Sequence, residues 1–495
     1  MTLRTHLAPE LPPQGRYAAH RRQSGVRAGV RAGGRALSCL LIAAIGLAAC
    51  SDASKPKEGE LGFVPGFLGG VAADEPRAAV VGRDVLSAGG NAMDAAVAVF
   101  FAMTVTRPSI AGLASGGQCV LFGEKAKRVE ALDFAAPPGV PGAPRGMYAL
   151  HAKYGRLRWE QMVKPAEDMA RFGFLVSRGF ARDLAASSAI LADNPGLARL
   201  YAGPGGRMPL EGERLSQLAL AGTLGVIRRA PGDFYNGAFL QSYVAGARAA
   251  GSDVTVEAMR GYAPQFKETI QVTQDLLVSH FAPTPGGAVA ARMWTALAAE
   301  GQYRGAAVPA RPALLADTQA KVVAQAASGL SEMPLGAAQS GASFVIADQD
   351  SNTVACAFTM GRMFGSAKLA GDSGIVLAVP PAASDALAIA PMLTINPRVN
   401  KMFFAAAGSG GAPVPAAEVL TGLETMIAGK PLAAALAAPR SHWISAGRVV
   451  SEPQIPLGLV NAFHCEKGLI SPGAEKPVDV CSVESDRRGF GLATR

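Results

Sequence analysis

The segment that most constrains the fold is a helix with apolar residues on nearly every side. Asn91 is a typical N-cap residue, and Asp94 follows three positions later, where its carboxylate can reach back to the cap. Alanine, valine and phenylalanine then surround the helix axis over residues 95–101. We therefore expect this helix to be buried.

Helical and strand patterns alternate in separate runs along the rest of the chain. A helix starting at Arg77 ends at Gly89 and Gly90, and the mainly helical runs after it are 144–193, 215–250 and 288–302. The predicted strands are 343–347, 353–359 and 401–407, with turn residues at 348–352 and a helix from Val414. This arrangement predicts a layered sandwich of the α+β class.

The formal net charge of +9 is concentrated near the start of the chain. Residues 1–49 hold seven arginines and one glutamate, which leaves +3 for the remaining 446 residues. Basic residues are not clustered in that remainder, and aromatic residues make up only 6% of the chain. We therefore expect no nucleic-acid partner.

An apolar run at residues 37–49 (LSCLLIAAIGLAA) follows the arginines and precedes a polar stretch. This is the pattern of a secretory signal, and the run is too short to span a bilayer. Cys50 follows directly, which resembles a bacterial lipoprotein signal with Cys50 lipidated; an ordinary signal peptide with a chance cysteine is the alternative. We predict a leader at 1–49, a lipid-anchor linker at 50–75, membrane attachment through Cys50 and a periplasm-facing location in the cell envelope.

Four cysteines lie in the body of the chain. Cys465 and Cys481 bracket a loop that contains glycine and proline, and they form either a disulfide or two partly buried thiols. Cys119 and Cys356 are expected to be small core residues. No cysteine spacing resembles a zinc site, and we expect neither a metal nor a cofactor.

Short motifs follow one another in an order that resembles the gamma-glutamyltransferase family over roughly residues 75–490. They include AGGNAMDAA at 88–96, a glycine-rich turn at 112–120, DFYNG at 233–237, DQDSN at 348–352, GSGG at 408–411, APR at 438–440 and SDRR at 485–488. The resemblance implies a four-layer αββα sandwich of the N-terminal-nucleophile hydrolase type. It also implies a large-subunit-like region at 76–340 and a small-subunit-like region at 341–495.

The resemblance also locates the nucleophile, and the expected residue is absent. Members of the family cut themselves and use the new N-terminal threonine as nucleophile, with its own amine as base. Counted back from Asp348, the threonine position is Gly341, which has no side-chain oxygen. Ser340, one residue earlier, and Ser343, two residues deeper in the strand, are the candidate replacements.

The positions that would hold a glutamyl substrate are also replaced. The arginine expected to grip the alpha-carboxylate is Ala135, and the segment expected to read the alpha-amino group is the apolar stretch 378–383. Gly361 replaces an asparagine, and Leu393 and Thr394 replace paired serines. The glycines of the oxyanion site, Gly410 and Gly411, are retained, although a tight turn alone would also need them.

These substitutions leave two hypotheses for the function. The first is a gamma-glutamyltransferase-like lipoprotein that has lost catalysis, keeps the scaffold and binds a small peptide or amide in a remodelled pocket. The second is an active amidohydrolase or gamma-glutamyl hydrolase of altered specificity that uses Ser340 or Ser343. The lone histidines do not decide between them, and His442 is expected to be a structural hydrogen-bonding residue.

Overall fold

The structure, a computed structural model, describes residues 69–325, 333, 335, 341–382, 386–453, 455–469 and 481–495. The predicted helix pair is confirmed as α1 (Pro76–Ser87) and α2 (Ala92–Thr106). Asn91 accepts the N–H groups of Met93 and Asp94, and the Asp94 carboxylate accepts the N–H of Asn91. All fifteen residues of α2 are buried, because its apolar circumference has to be covered on every side.

The other helices form two groups along the chain. The first group is α3 (Ala143–Tyr154), α4 (Trp159–Phe172), α5 (Arg178–Ala186), α6 (Ser188–Asp193), α7 (Pro195–Tyr201), α8 (Leu218–Arg229), α9 (Asp233–Asn236), α10 (Ala238–Ala249) and α11 (Val256–Gly261). The second group is α12 (Pro285–Trp294), α13 (Gln302–Gly305), α14 (Arg311–Gln325), α15 (Val414–Gly422) and α16 (Leu432–Leu436). Among the described helices, none combines the length and apolar character that a membrane span requires.

Within the described residues, seven antiparallel strands form the first sheet. In spatial order they are β17 (Leu492–Thr494), β1 (Gly69–Ala73), β9 (Gly341–Asp348), β10 (Thr353–Thr359), β2 (Gly116–Gly123), β3 (Arg128–Asp133) and β6 (Gln265–Lys267). The hairpin of β9 and β10 was predicted from the sequence, and it lies at the centre of this sheet between strands from the first half of the chain.

The second sheet has six antiparallel strands in the described part of the chain. Their spatial order is β16 (Cys481–Ser485), β15 (Leu459–Cys465), β12 (Lys401–Ser409), β11 (Met392–Asn396), β8 (Leu277–Phe281) and β7 (Ile270–Gln274). Two short ribbons stand apart, β4 (Phe174–Leu175) with β5 (Arg214–Leu215), and β13 (Ser441–Ser445) with β14 (Arg448–Ser451). Because both large sheets contain strands from 76–340 and from 341–495, the two family regions form one body.

The apolar clusters show four layers. Alternate residues of β9 face opposite ways: Phe344 packs with the first helix group, whereas Val345 packs between the sheets. Leu393 and Ala405 of the second sheet complete that inter-sheet cluster. The second helix group covers the outer face of the second sheet, where Trp294 and Phe404 belong to one cluster. The predicted αββα sandwich is confirmed.

The predicted linker at 50–75 extends too far toward the C-terminus, because its last residues belong to the folded body. Residues 50–68 lie outside the described residues, but Gly69–Ala73 form β1, between β9 and β17. Asp74 and Glu75 are buried, and the Glu75 carboxylate accepts the N–H of Ala78 and so caps α1. Glycine and alanine have low strand propensity, so the sequence of β1 does not indicate a strand. The strand forms because it pairs with β9 and β17, which lie far away in the chain.

Two disulfides join strands in the described part of the chain. Cys119 on β2 and Cys356 on β10 are buried, as expected of core residues, but they are bonded to each other, which the sequence did not predict. Cys465 and Cys481, whose pairing the sequence left open, are bonded between β15 and β16. Each pair occupies directly opposed positions of an antiparallel ladder, which brings the two sulfur atoms within bonding distance.

Candidate functional site

Gly341, the position that the sequence resemblance predicts for the nucleophile, is the first residue of β9 and is buried. It lies opposite Thr359 in the ladder with β10. A β-carbon placed on Gly341 would lie 2.7 Å from the carbonyl oxygen of Phe358 and 3.4 Å from the β-carbon of Thr359. The position therefore lacks a nucleophilic oxygen, and a side chain there would require the neighbouring backbone to shift.

Ser343, one of the two candidate replacements, is fully buried and held by hydrogen bonds. Its backbone N–H and its hydroxyl reach Asp74 Oδ2 at 2.8 and 3.2 Å. The side-chain amide of Asn461 donates to Ser343 Oγ at 3.0 Å. Ser343 is thus a structural residue with no exposure to a substrate. Ser340, the other candidate, lies outside the described residues.

Asp74 connects the strands that meet beside Gly341. Besides Ser343, it accepts hydrogen bonds from Ser409 Oγ and Asn461 Nδ2, both at 2.8 Å. The guanidinium of Arg107 donates to the Asp74 carbonyl oxygen at 3.0 Å. Burial raises the pKa of Asp74, and the hydrogen bond from Ser409 and the charge of Arg107 oppose that rise.

Sequence reasoning missed Asp74 because it was assigned to the linker. One signal was available, since two acidic residues directly before Pro76 are typical of a helix start. Its role is to tie β1, β9, β12 and β15 together at the point where the family site is expected.

The glycines of the expected oxyanion site follow this cluster. Gly410 and Gly411 come directly after Ser409 and have φ angles of 105° and 83°. Residues with a β-carbon rarely adopt such angles, so the turn into α15 itself requires glycine. The N–H of Val414 donates to the carbonyl of Gly411 and closes the turn.

Two of the predicted substrate positions come together with Thr359, and two do not. Ala135 is exposed and lines a cavity with Thr359, and Gly361 donates its N–H to Thr359 Oγ1 at 2.9 Å. Leu393 is buried between the sheets, and the hydroxyl of Thr394 is paired with Ser279 Oγ at 2.9 Å. Both residues lie within β11, where pairing with β8 and β12 buries them.

The cavity beside Thr359 has a volume of about 160 Å³. We call it the Thr359 cavity. Its described lining contains no charged side chain, and Thr359 supplies its only hydroxyl. The lining residues are Ala114, Gly116, Ala135, Ala136, Pro137, Pro138, Gly139, Val140, Thr359, Ala378, Val379, Pro380, Pro381 and Ile389.

Arg440 of the APR motif, Asp486 of the SDRR motif and the nearby His442 have structural contacts. Arg440 is buried, forms an ion pair with Asp486 at 2.6 Å, and donates to the carbonyl oxygen of Gly458. His442 is also buried, with its ring nitrogens beside the Met333 carbonyl and the Gln319 amide, as a structural residue would be. Among the described residues, no group of three or more potential metal ligands is found.

Solved structures share this architecture. Cephalosporin acylase from Bacillus halodurans matches with a TM-score of 0.69 and 19% identity, over 90% of this chain and 99% of that chain. The fold is therefore that of the N-terminal-nucleophile hydrolases. The gamma-glutamyltranspeptidase family model matches residues 78–137 and 135–328, together about half of the chain. The protein belongs to the gamma-glutamyltranspeptidase family.

Curated relatives match over a limited segment. Glutathione hydrolase 3 of Arabidopsis thaliana is 29% identical over 243 residues, which are 44% of this chain and 38% of that protein. The glutathione hydrolase proenzyme of Escherichia coli K12 is 30% identical over 223 residues, or 39% of this chain and 38% of the relative. The chain spans about two fifths of the length of the curated relatives it matches. A likeness of this extent does not transfer an activity.

Proposed function

We propose that this protein is a gamma-glutamyltransferase-like lipoprotein of the bacterial cell envelope that has kept the family scaffold and lost gamma-glutamyl transfer. The observation that carries the proposal is Gly341. Glycine has no side-chain oxygen, and the Phe358 carbonyl oxygen lies 2.7 Å from the point where a β-carbon on Gly341 would stand. An N-terminal nucleophile needs a hydroxyl or thiol next to its own free amine, so neither self-cleavage nor acyl transfer can start from a glycine.

The surroundings of Gly341 support the same conclusion. Ser343 is committed to Asp74 and Asn461, so it does not replace the threonine. Ala135 cannot make the bidentate contact that an arginine makes with an alpha-carboxylate. Loss of one charge-assisted contact of this kind costs about 1.5–3 kcal/mol of binding free energy. The pocket is therefore poorly suited to a glutamyl group.

Export and anchoring form the second part of the proposal. The apolar run at 37–49 ends at Cys50, the residue that would carry the lipid. The two disulfides support an oxidising compartment, because such bonds are rare in the reducing cytosol. A periplasm-facing protein held by Cys50 would present the Thr359 cavity to small peptides or amides outside the cytosol.

The test combines a gel with an activity assay. The purified chain is run on a denaturing gel with reductant, and hydrolysis of a gamma-glutamyl anilide is followed in the same sample. We expect one band, at the size of the chain that begins at Cys50 and is not cut further, and no turnover above background. Two fragments meeting near Ser340, with turnover lost in Ser340→Ala and kept in the surface control Ser242→Ala, would instead establish an active hydrolase that uses Ser340.

A further inference from the structure

We infer that the Thr359 cavity binds a small, uncharged and mainly apolar group, such as the hydrocarbon part of a neutral amide. This inference rests on the proposed function, because it assigns a ligand class to the pocket that has lost the glutamyl clamp. The cavity lies next to the expected family site, since Thr359 is the ladder partner of Gly341 and Ala135 occupies the position predicted for the arginine.

The walls of the cavity offer few polar groups. Pro137 and Pro138 contribute to one side, and Pro380 and Pro381 come from a segment more than two hundred residues later. Proline has no N–H to donate and a fixed φ, so these walls are both apolar and rigid. A preformed apolar wall favours ligands that need few hydrogen bonds.

Asp133, two residues before the lining residue Ala135, is engaged in other contacts and is not a described lining residue of the cavity. Asp133 forms an ion pair with Lys267 at 2.6 Å and accepts the N–H of Ala135 at 2.9 Å. Neither Asp133 nor Lys267 is among the described lining residues. Among the described lining residues, none would supply a counter-charge to a charged ligand, so the hydration that such a ligand lost on binding would not be replaced by an ion pair there.

The volume limits the size of the group. The Thr359 cavity opens to solvent, since Ala135, Pro138 and Pro381 are exposed. Its volume of about 160 Å³ is close to that of a cavity of about 150 Å³ that holds benzene, so it suits a group of roughly six to eight non-hydrogen atoms. Small residues, among them Gly116, Ala135 and Ala378, leave this space open. A larger side chain at Ala135 would fill it, and because Ala135 is exposed the change should not disturb the core.

The experiment uses two probes of equal size that differ in charge. 4-Methylpentanamide and 4-methylpentanoate are titrated into the full chain at pH 7.5, and binding is measured by saturation-transfer NMR. We expect saturable binding of the amide and at least about tenfold weaker binding of the carboxylate, because only the latter must lose a charged hydration shell. The variant Ala135→Leu should weaken amide binding at least fivefold, while Ala434→Leu, the same change at an exposed position of α16, should leave it unchanged.

The outcomes separate this inference from the proposed function. Absence of amide binding, equal binding of the two probes, or an unchanged amide affinity in Ala135→Leu would each overturn the ligand class while leaving the loss of catalysis intact. Hydrolysis of the gamma-glutamyl anilide by the same sample would overturn the proposed function, whatever the probes show.

Discussion

Gly341 and Thr359 lie opposite each other at the open end of the β9–β10 hairpin, and the Phe358 carbonyl fills the space that a side chain on Gly341 would enter. The family chemistry depends on a side chain at this point. Gly341 offers no side-chain oxygen, and a β-carbon added there would lie only 2.7 Å from the Phe358 carbonyl oxygen.

Restoring the threonine should not restore the enzyme. In Gly341→Thr the new side chain meets the Phe358 carbonyl, so we expect a loss of about 1–3 kcal/mol in the free energy of unfolding, as for other overpacked sites. Anilide hydrolysis should stay at background, because Ala135 still provides no clamp. Urea unfolding and the anilide assay measure the two effects. The control Gly222→Thr, at an exposed helix position with open space around it, should show no such loss; a self-cleaving, active Gly341→Thr protein would refute this prediction.

Asp74 should be one of the most sensitive positions in the molecule. The variant Asp74→Ala removes the acceptor of the Ser343 N–H and of the Ser409 hydroxyl, and one of the three acceptors of the Asn461 amide. Each buried donor left without an acceptor costs about 1–3 kcal/mol, so we expect a loss of at least about 2 kcal/mol in urea unfolding. Asp84→Ala, which removes an exposed carboxylate that forms an ion pair with its neighbour Arg83, should change stability by less than about 0.5 kcal/mol. Similar losses in the two variants would show that the Asp74 cluster contributes little.

His280 should make the free energy of unfolding depend on pH in the acid range. Burial lowers the pKa of His280 from 6.5 to about 4, and its Nδ1 lies 2.7 Å from Thr269 Oγ1. Because the folded state binds the proton less readily than the unfolded state, protonation of His280 favours unfolding. The contribution of neutral His280 to the free energy of unfolding is fully present above pH 6.5 and is lost as the pH falls through about 4. Between pH 7 and pH 4 the stability of wild type should therefore fall relative to His280→Gln, by up to about 3 kcal/mol. Urea unfolding at both pH values tests this, and parallel losses in the two proteins would contradict it.

The anchor can be tested in cells. In Cys50→Ser the lipid acceptor is removed, so we expect loss of labelled palmitate and release of the protein from the membrane fraction. Cys39→Ser changes a cysteine within the predicted leader and should leave labelling intact. Membrane association that persists in Cys50→Ser without label would mean that another feature of the chain holds the protein there.

Local signals in the sequence predicted much of the fold. The Asn91 cap, the buried helix after it and the strand 353–359 were predictable, because each depends on neighbouring residues. Strand β1 was not, since GGVAA has weak strand propensity and its partners lie more than 270 residues away. The Cys119–Cys356 bond was missed for the same reason, since its two cysteines are separated by 237 positions in the sequence.

The candidate site was predicted in part. Ala135 and the apolar stretch 378–381 do meet at one cavity. Leu393 and Thr394 do not, because their strand is paired on both sides and its side chains are used for packing. Thr359 was missed as a lining residue because only the register of β9 with β10 places it beside Gly341.

The Cys119–Cys356 bond links the part of the chain before position 341 to the part after it. Its two cysteines come from opposite sides of position 341, so the halves of the chain are joined covalently at a second point. Backbone continuity at Gly341 is thus not required to keep them together. A molecule cut there would still migrate as a single species without reductant, and it would unfold and refold as one cross-linked polymer.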